Sequence, residues 1–130
     1  MIPDAAKHLF EGKHLAHVAT INRDGTPQVS AMWVGIDGDL VTFNTVEGRL
    51  KTKNLRRNPA VALSITNEHN PAENLIIQGT VVEITGDGAD ADIDALAKRY
   101  LDADSYPFRQ PGEERLIVKM EPKKVHHLIP

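Results

Sequence analysis

The chain of 130 residues contains no cysteine. That absence removes disulfides, thiolate nucleophiles, iron–sulfur clusters and thiolate zinc sites together. No apolar run approaches the roughly 20 residues needed to cross a bilayer as a helix, so no membrane association is expected. The opening "MIPDAAKHLF" lacks a basic stretch followed by an apolar one, the pattern of a secretory signal. Cytoplasmic location is the expectation. No G-x-S-x-G elbow surrounds Ser30, which argues against a serine hydrolase. A broad basic surface is also missing. Lysine and arginine number 15 against 18 acids, for a formal charge of −3, and phosphate-dominated binding to nucleic acid needs more positive charge than that.

The six histidines lack metal-binding spacing. His14 and His17 would point to opposite faces of a strand, as would His126 and His127, and His8 and His69 stand apart from them. The acidic stretch from Asp87 to Asp94 lacks the order of an EF-hand loop and suits helix capping better. No metal is expected.

What is present is a succession of short extended runs separated by turns. Size and composition, 41% hydrophobic and 25% charged, fit one domain over residues 1–130. Residues 14–21 and 26–36 form a hairpin about "NRDG", and "DGD" turns the chain into a third strand over 40–45. Further strands are expected over 60–66 and 75–85, then at "RLIVKM" (115–120) and "KKVHHLI" (123–129). A small helix opens the chain over 3–12. An amphipathic helix follows at 93–101, with Ile93, Leu96, Ala97 and Leu101 at helical spacing. Six or seven strands with few helices predict a mainly β protein, a closed or nearly closed antiparallel barrel.

Positive charge is concentrated in one place. Arg49, Lys51, Lys53, Arg56 and Arg57 are five of the 15 bases and fall within nine residues. Pro59 stops any helix there, and Thr45 offers an N-cap, so a helix is expected over 46–57. On it Arg49, Lys53, Arg56 and Arg57 share one face, while Lys51 and Asn54 point inward. An inward lysine requires an opposite charge, and bases in the first turn oppose the helix dipole. A bound phosphate or carboxylate, gripped by Arg49, Lys51 and backbone N–H groups, resolves both conflicts. Arg56 and Arg57, late in the helix, complement its dipole without a ligand.

Taken together, "HVATINRDGTPQVSAMWV", "FNTVEGRLKTKNLRRNPAVALSI" and "IIQGTVVEI" resemble the pyridoxamine 5'-phosphate oxidase-like split-barrel flavoproteins, and in particular the branch that binds the deazaflavin coenzyme F420. The likeness covers nearly the whole chain, and its most specific piece runs from Arg49 to Pro59. It implies a homodimer with the cofactor in a groove at the subunit interface. It also implies that Arg49 and Lys51 hold the cofactor phosphate, with Asn54 beside that pocket. The strand from Gln28 to Val34, with Val29, Ser30, Met32 and Trp33, would lie along the ring, and Asn44 and Thr45 would bond near the phosphate. Trp33 equally suits a packing role.

FMN and F420 both offer a tricyclic ring and a phosphate. The longer anionic tail of F420 asks for a longer positive track, which Lys53, Arg56 and Arg57 could extend. The ending "VHHLIP" lacks the arginine-bearing segment by which true pyridoxamine phosphate oxidases hold their substrate, which argues against vitamin B6 oxidation. The expected function is therefore F420-dependent reduction of an electron-poor small molecule, an activated double bond or a quinone. The cofactor would carry the hydride, with no catalytic side chain assigned. Tyr106 and Arg109, in the irregular stretch 102–114, are candidates for the substrate side. The alternatives are an FMN-dependent oxidoreductase of the same fold and a non-catalytic carrier of flavin, deazaflavin or haem.

Overall fold

The computed structural model describes the whole chain, Met1–Pro130. Alternating burial defines its first strand: in β1 (Ala16–Ile21) Ala16, Val18 and Thr20 are buried while His17 faces out. The chain then turns through Gly25, whose φ of 89° suits glycine, into β2 (Pro27–Met32). Next come β3 (Gly35–Asp37), β4 (Leu40–Val46), helix α1 (Leu50–Arg57) and β5 (Ala60–Thr66). The chain closes with β6 (Asn74–Thr85), helix α2 (Ala89–Leu101) and β7 (Arg115–Leu128). A 3-10 helix over Asp4–Phe10 precedes them and buries Ala6, Leu9 and Phe10.

All neighbouring strands are antiparallel, in the order β2-β1-β5-β6-β7-β4-β3. The outermost two, β2 and β3, are joined by Trp33 and Val34 alone, a link that spans only about 10 Å when extended. The sheet must therefore curl until its edges nearly meet. It is a barrel with an unpaired seam, a split barrel, filled by Val18, Val34, Val41, Phe43, Ile65, Leu75, Ile77, Val118 and Met120.

Three sequence expectations are corrected by this closure. The run expected over 26–36 breaks at Trp33 and Val34, because the chain must step across the seam there. The last two expected strands are one, β7, of 14 residues. Pro122 is accommodated within it because the β6 pairing shifts register at Gln78/Gly79, opposite that proline. Helix α1 begins later than expected, with Arg49 rather than Thr45 in the N-cap position. Gly48, at φ 92°, turns the chain after β4, and the buried Thr45 hydroxyl is engaged by Thr52 Oγ1 at 3.3 Å.

Helix α2 lies over the seam. Its Ile93, Leu96 and Tyr100 form a second apolar cluster with Trp33 and Tyr106. Arg99 donates to the carbonyls of Phe10 and Val34. The Tyr100 hydroxyl donates to the His14 carbonyl at 2.6 Å. The open edge is thereby covered by a helix.

Candidate functional site

The seam widens into a cleft of about 180 Å³. Met32 and Trp33 approach from the end of β2, Ile93 and Leu96 from α2, and Tyr106 and Phe108 from the connection to β7. Its polar lining is Asn44 of β4, Arg49 and Lys51 at the start of α1, and Arg115 opening β7. The β4–β7 register sets Val46 against Arg115, which brings the two ends of the basic lining together.

Lys51 is half-buried, and its pKa is held below the usual lysine value by burial first, then by the charges of Arg49 and Arg115. No carboxylate offsets this. Glu47, in the turn before α1, pairs instead with Arg56 at 2.9 Å. Glu113 pairs with Arg115 at 3.3 Å. A desolvated ammonium among like charges either gives up its proton more readily or is stabilised by an incoming anion. Arg115 is itself buried, 7% exposed. Its Nε donates to Asn44 Oδ1 at 2.9 Å, and its guanidinium lies 5.0 Å from the centre of the Tyr106 ring. The Asn44 amide nitrogen in turn donates to the Ala89 carbonyl and to Asp92 Oδ2, both at 2.9 Å. Asn44 thus fixes Arg115 and the start of α2 to one strand.

The apolar wall is an aromatic succession. Trp33 stacks on Tyr100 at 5.2 Å with 9° between the planes, and meets Tyr106 edge-on at 5.9 Å. Tyr106 meets Phe108 edge-on at 5.7 Å. Four of the protein's six aromatic residues lie in this one row. Trp33 therefore both packs and lines the cleft.

Of the residues singled out in the sequence, the structure brings Met32, Trp33, Asn44, Arg49, Lys51 and Tyr106 together. The others stand apart from the cleft of this single chain. Gln28 accepts a bond from Thr20 at 3.2 Å. Val29 is 62% exposed on the outer face of an edge strand. The Ser30 hydroxyl is buried without a hydrogen-bond partner. Thr45 is committed to Thr52. Asn54 points inward as expected but toward β1, donating to Thr20 Oγ1 at 3.0 Å and Asn22 Oδ1 at 2.9 Å. Arg109 turns from the cleft to Asp90 and Asp94. Arg57 is engaged by the Ile21 carbonyl and by Asn54.

Arg115 and Phe108 were not singled out in the sequence. An arginine opening a strand straight after an irregular stretch is a weak signal. Its meaning depends on the pairing of β4 with β7, which no local spacing reveals. The cation set and the aromatic wall together fit a planar ring bearing a phosphate.

Comparison with known proteins identifies the fold and the family. The family model described as pyridoxamine 5'-phosphate oxidase matches residues 2–129. A solved structure named F420 reductase is 34% identical, with a TM-score of 0.83, covering 96% of this chain and 98% of that one. A conserved hypothetical protein from Mycobacterium tuberculosis shares the fold at 19% identity and a TM-score of 0.74, covering 98% of this chain and 85% of its own. So does HupZ of Group A Streptococcus, at 19% identity and a TM-score of 0.70, covering 98% and 94% respectively. A search of curated proteins gives no match. Matched along nearly its whole length, the chain belongs to the pyridoxamine 5'-phosphate oxidase family.

Proposed function

We propose that the protein is an F420-dependent oxidoreductase and that the cleft is one half of its coenzyme site. The observation that carries this reading is Lys51: a half-buried cation at a helix start, flanked by Arg49 and Arg115, with no anion of its own. The 34% identity to a structure named F420 reductase, over almost the full length of both chains, favours the deazaflavin. Arg49, Lys51 and Arg115 would hold the phosphate, Met32 and Trp33 would lie along the ring, and Tyr106 and Phe108 would border the acceptor. Bound there, the coenzyme supplies a hydride for an electron-poor acceptor such as a quinone or an activated double bond. The protein's part is to bind, orient and exclude water.

A second copy of the chain would complete the site. The cleft volume of about 180 Å³ is below the roughly 300–1,000 Å³ of small-molecule sites. Phe108, 58% exposed, offers apolar surface at its mouth for such a partner, and Val29, 62% exposed, offers more on the edge strand β2.

FMN is the second reading, and one observation favours it. The longer positive track expected for an anionic tail is shortened, because Arg56 pairs with Glu47 and Arg57 is bonded within the chain. Separate titrations with F420 and FMN, followed by fluorescence, decide between them. Tighter binding of F420, weakened at least tenfold by Lys51→Ala, is the expected result. Tighter FMN binding would overturn the choice of coenzyme, and unaltered affinity in the variant would overturn the site. Oxidation of the reduced coenzyme should accelerate with some member of a quinone and enone panel. Binding without acceleration by any of them would make the protein a carrier.

A further inference from the structure

Arg109 lies outside the cleft, yet it is the best-anchored residue of the connection between α2 and β7. Its guanidinium meets Asp90 Oδ1 at 3.1 Å and Asp94 Oδ1 at 2.7 Å, carboxylates one helical turn apart on α2. It also meets the Asp90 carbonyl at 3.4 Å. The same Asp94 oxygen accepts the backbone N–H of Tyr106 at 2.8 Å. One carboxylate therefore ties down both the beginning and the end of the segment Tyr106-Pro107-Phe108-Arg109. That segment holds the last two rings of the aromatic row, and Phe108 at its end is 58% exposed at the rim of the cleft.

Beyond this clamp, Tyr106 packs against the cluster of Ile93, Leu96 and Tyr100. Tyr106 is held from one side by the edge of Trp33 and from the other by Arg115. Phe108 meets only Tyr106 among the aromatic rings. An exposed aromatic at a cleft mouth is useful to a ligand only if its position is fixed before binding, since ordering it afterwards would subtract from affinity. The two-carboxylate clamp fixes it, and the planar fork of arginine suits that task where the point charge of lysine does not.

We propose that Arg109 is a positioning residue: clamped to Asp90 and Asp94, it holds Tyr106 and Phe108 as a preformed wall for a planar apolar acceptor, an assignment that rests on the cleft being the redox site described above. Arg109 touches neither coenzyme nor acceptor and acts through the rings. Its removal therefore changes affinity for the acceptor and leaves the affinity of the phosphate-binding residues for coenzyme intact.

The test uses three variants of the full chain, Arg109→Ala, Arg109→Lys and Asp94→Asn. The last keeps an acceptor for the Tyr106 N–H while removing the charge. Near-ultraviolet circular dichroism reads the order of the aromatic row without any ligand. Quenching of Trp33, the only tryptophan, by a naphthoquinone reads acceptor binding in coenzyme-free protein. Steady-state oxidation of reduced coenzyme then separates KM from kcat. For Arg109→Ala the expected result is a reduced aromatic signal, quinone affinity about tenfold weaker with KM raised to match, and kcat and coenzyme affinity close to wild type. Arg109→Lys and Asp94→Asn should fall between. An unchanged aromatic signal with unchanged quinone affinity in both Arg109→Ala and Asp94→Asn overturns the proposal. So does a fall in kcat at constant KM. Failure of the protein to bind any coenzyme would instead count against the reading of the cleft, while the circular dichroism and quenching measurements would still judge Arg109.

Discussion

The hydroxyl of Tyr100 accepts a hydrogen bond from the backbone N–H of Val34 at 3.2 Å. The same hydroxyl donates to the carbonyl of His14 at 2.6 Å. Val34 is half of the two-residue link across the barrel seam, so this one side chain from α2 satisfies a backbone N–H of that link and a carbonyl just before β1, while Arg99 takes the Val34 carbonyl. Burial, its main cause, raises the Tyr100 pKa, which keeps the hydroxyl a donor over the ordinary pH range. Tyr100→Phe preserves the ring that stacks on Trp33 but strands both groups. A loss of about 1–3 kcal/mol is expected, measured by urea unfolding. A change below about 0.5 kcal/mol, the range of a surface substitution, would show that the bond does not secure the seam.

Lys51 should limit the stability of the ligand-free protein. Its pKa is lowered in the fold, so the unfolded chain binds that proton more strongly, and this group's contribution to stability rises with pH in the window below its ordinary value of 10.5. Replacing it by methionine, which keeps the stem and removes the charge, is expected to raise the unfolding temperature without coenzyme. Saturating F420 should then reverse the order. Ligand at a hundredfold excess over Kd stabilises wild type by about 2.7 kcal/mol, and the variant should gain little. If Lys51→Met is less stable than wild type without coenzyme, the charge is already compensated inside the protein and the anion-site argument fails.

The features legible in the sequence were those with local causes. The strand expected over 14–21, the turn at "NRDG" and the density of bases from Arg49 to Arg57 each follow from neighbours in the chain, and the structure has a strand over 16–21, a turn through Gly25 and the basic helix. Those that were missed depend on closure. Trp33 and Val34 continue an apolar run and look like strand, but the step across the seam breaks the ladder there. Pro122 looks like a strand end until Gly79 is found opposite it. Arg115 looks like an ordinary strand-opening base until the β4–β7 register sets it across from Val46. Of the cations lining the cleft, Arg49 and Lys51 were legible because they break helix-dipole logic locally, a conflict of the kind that marks functional positions, whereas Met32, Trp33 and Asn44 were reached only through the family resemblance.

Gly79 should be among the least replaceable residues. A Cβ there would lie 2.2 Å from the Glu121 carbonyl oxygen and 2.8 Å from Met120 Cε. The methionine could move, but the backbone of the neighbouring strand cannot do so without breaking the β6–β7 ladder at its register shift. Gly79→Ala is expected to cost roughly 3 kcal/mol or to prevent folding. Gly25→Ala meets only its positive φ, with open space around it, and should cost about 1 kcal/mol. Comparison of the two by thermal unfolding checks the cause. Equal losses of about 1 kcal/mol would mean that β7 yields to the added methyl group and that its close approach does not set the cost at Gly79.

At the barrel end remote from α1, Glu73 joins three parts of the chain. Its carboxylate accepts from Asn67 Nδ2 at 2.8 Å in the β5–β6 turn, from His127 Nε2 at 2.7 Å on β7, and from His8 Nε2 at 3.0 Å on the opening helix. An ionised carboxylate only accepts, so both imidazoles present N–H at Nε2. These bonds, Asn67 first, then His127 and His8, hold the Glu73 pKa at about 2 against an ordinary value of 4.5. A depressed folded pKa means stability fully present above about 4.5 and lost as pH falls toward about 2. His14 nearby acts in the same direction at higher pH. Burial lowers its pKa, and its Nδ1 accepts the Glu68 N–H at 3.0 Å, so its protonation opposes folding below about 6.5. Glu73→Gln removes the lower of these two steps and sets an amide N–H₂ against one of the imidazole donors. The variant should be less stable at pH 7 and should show a flatter decline between pH 4.5 and 2 than wild type, in urea midpoints measured across that range. Parallel declines in the two proteins would place the acid sensitivity elsewhere and leave Glu73 as a neutral hydrogen-bonding post.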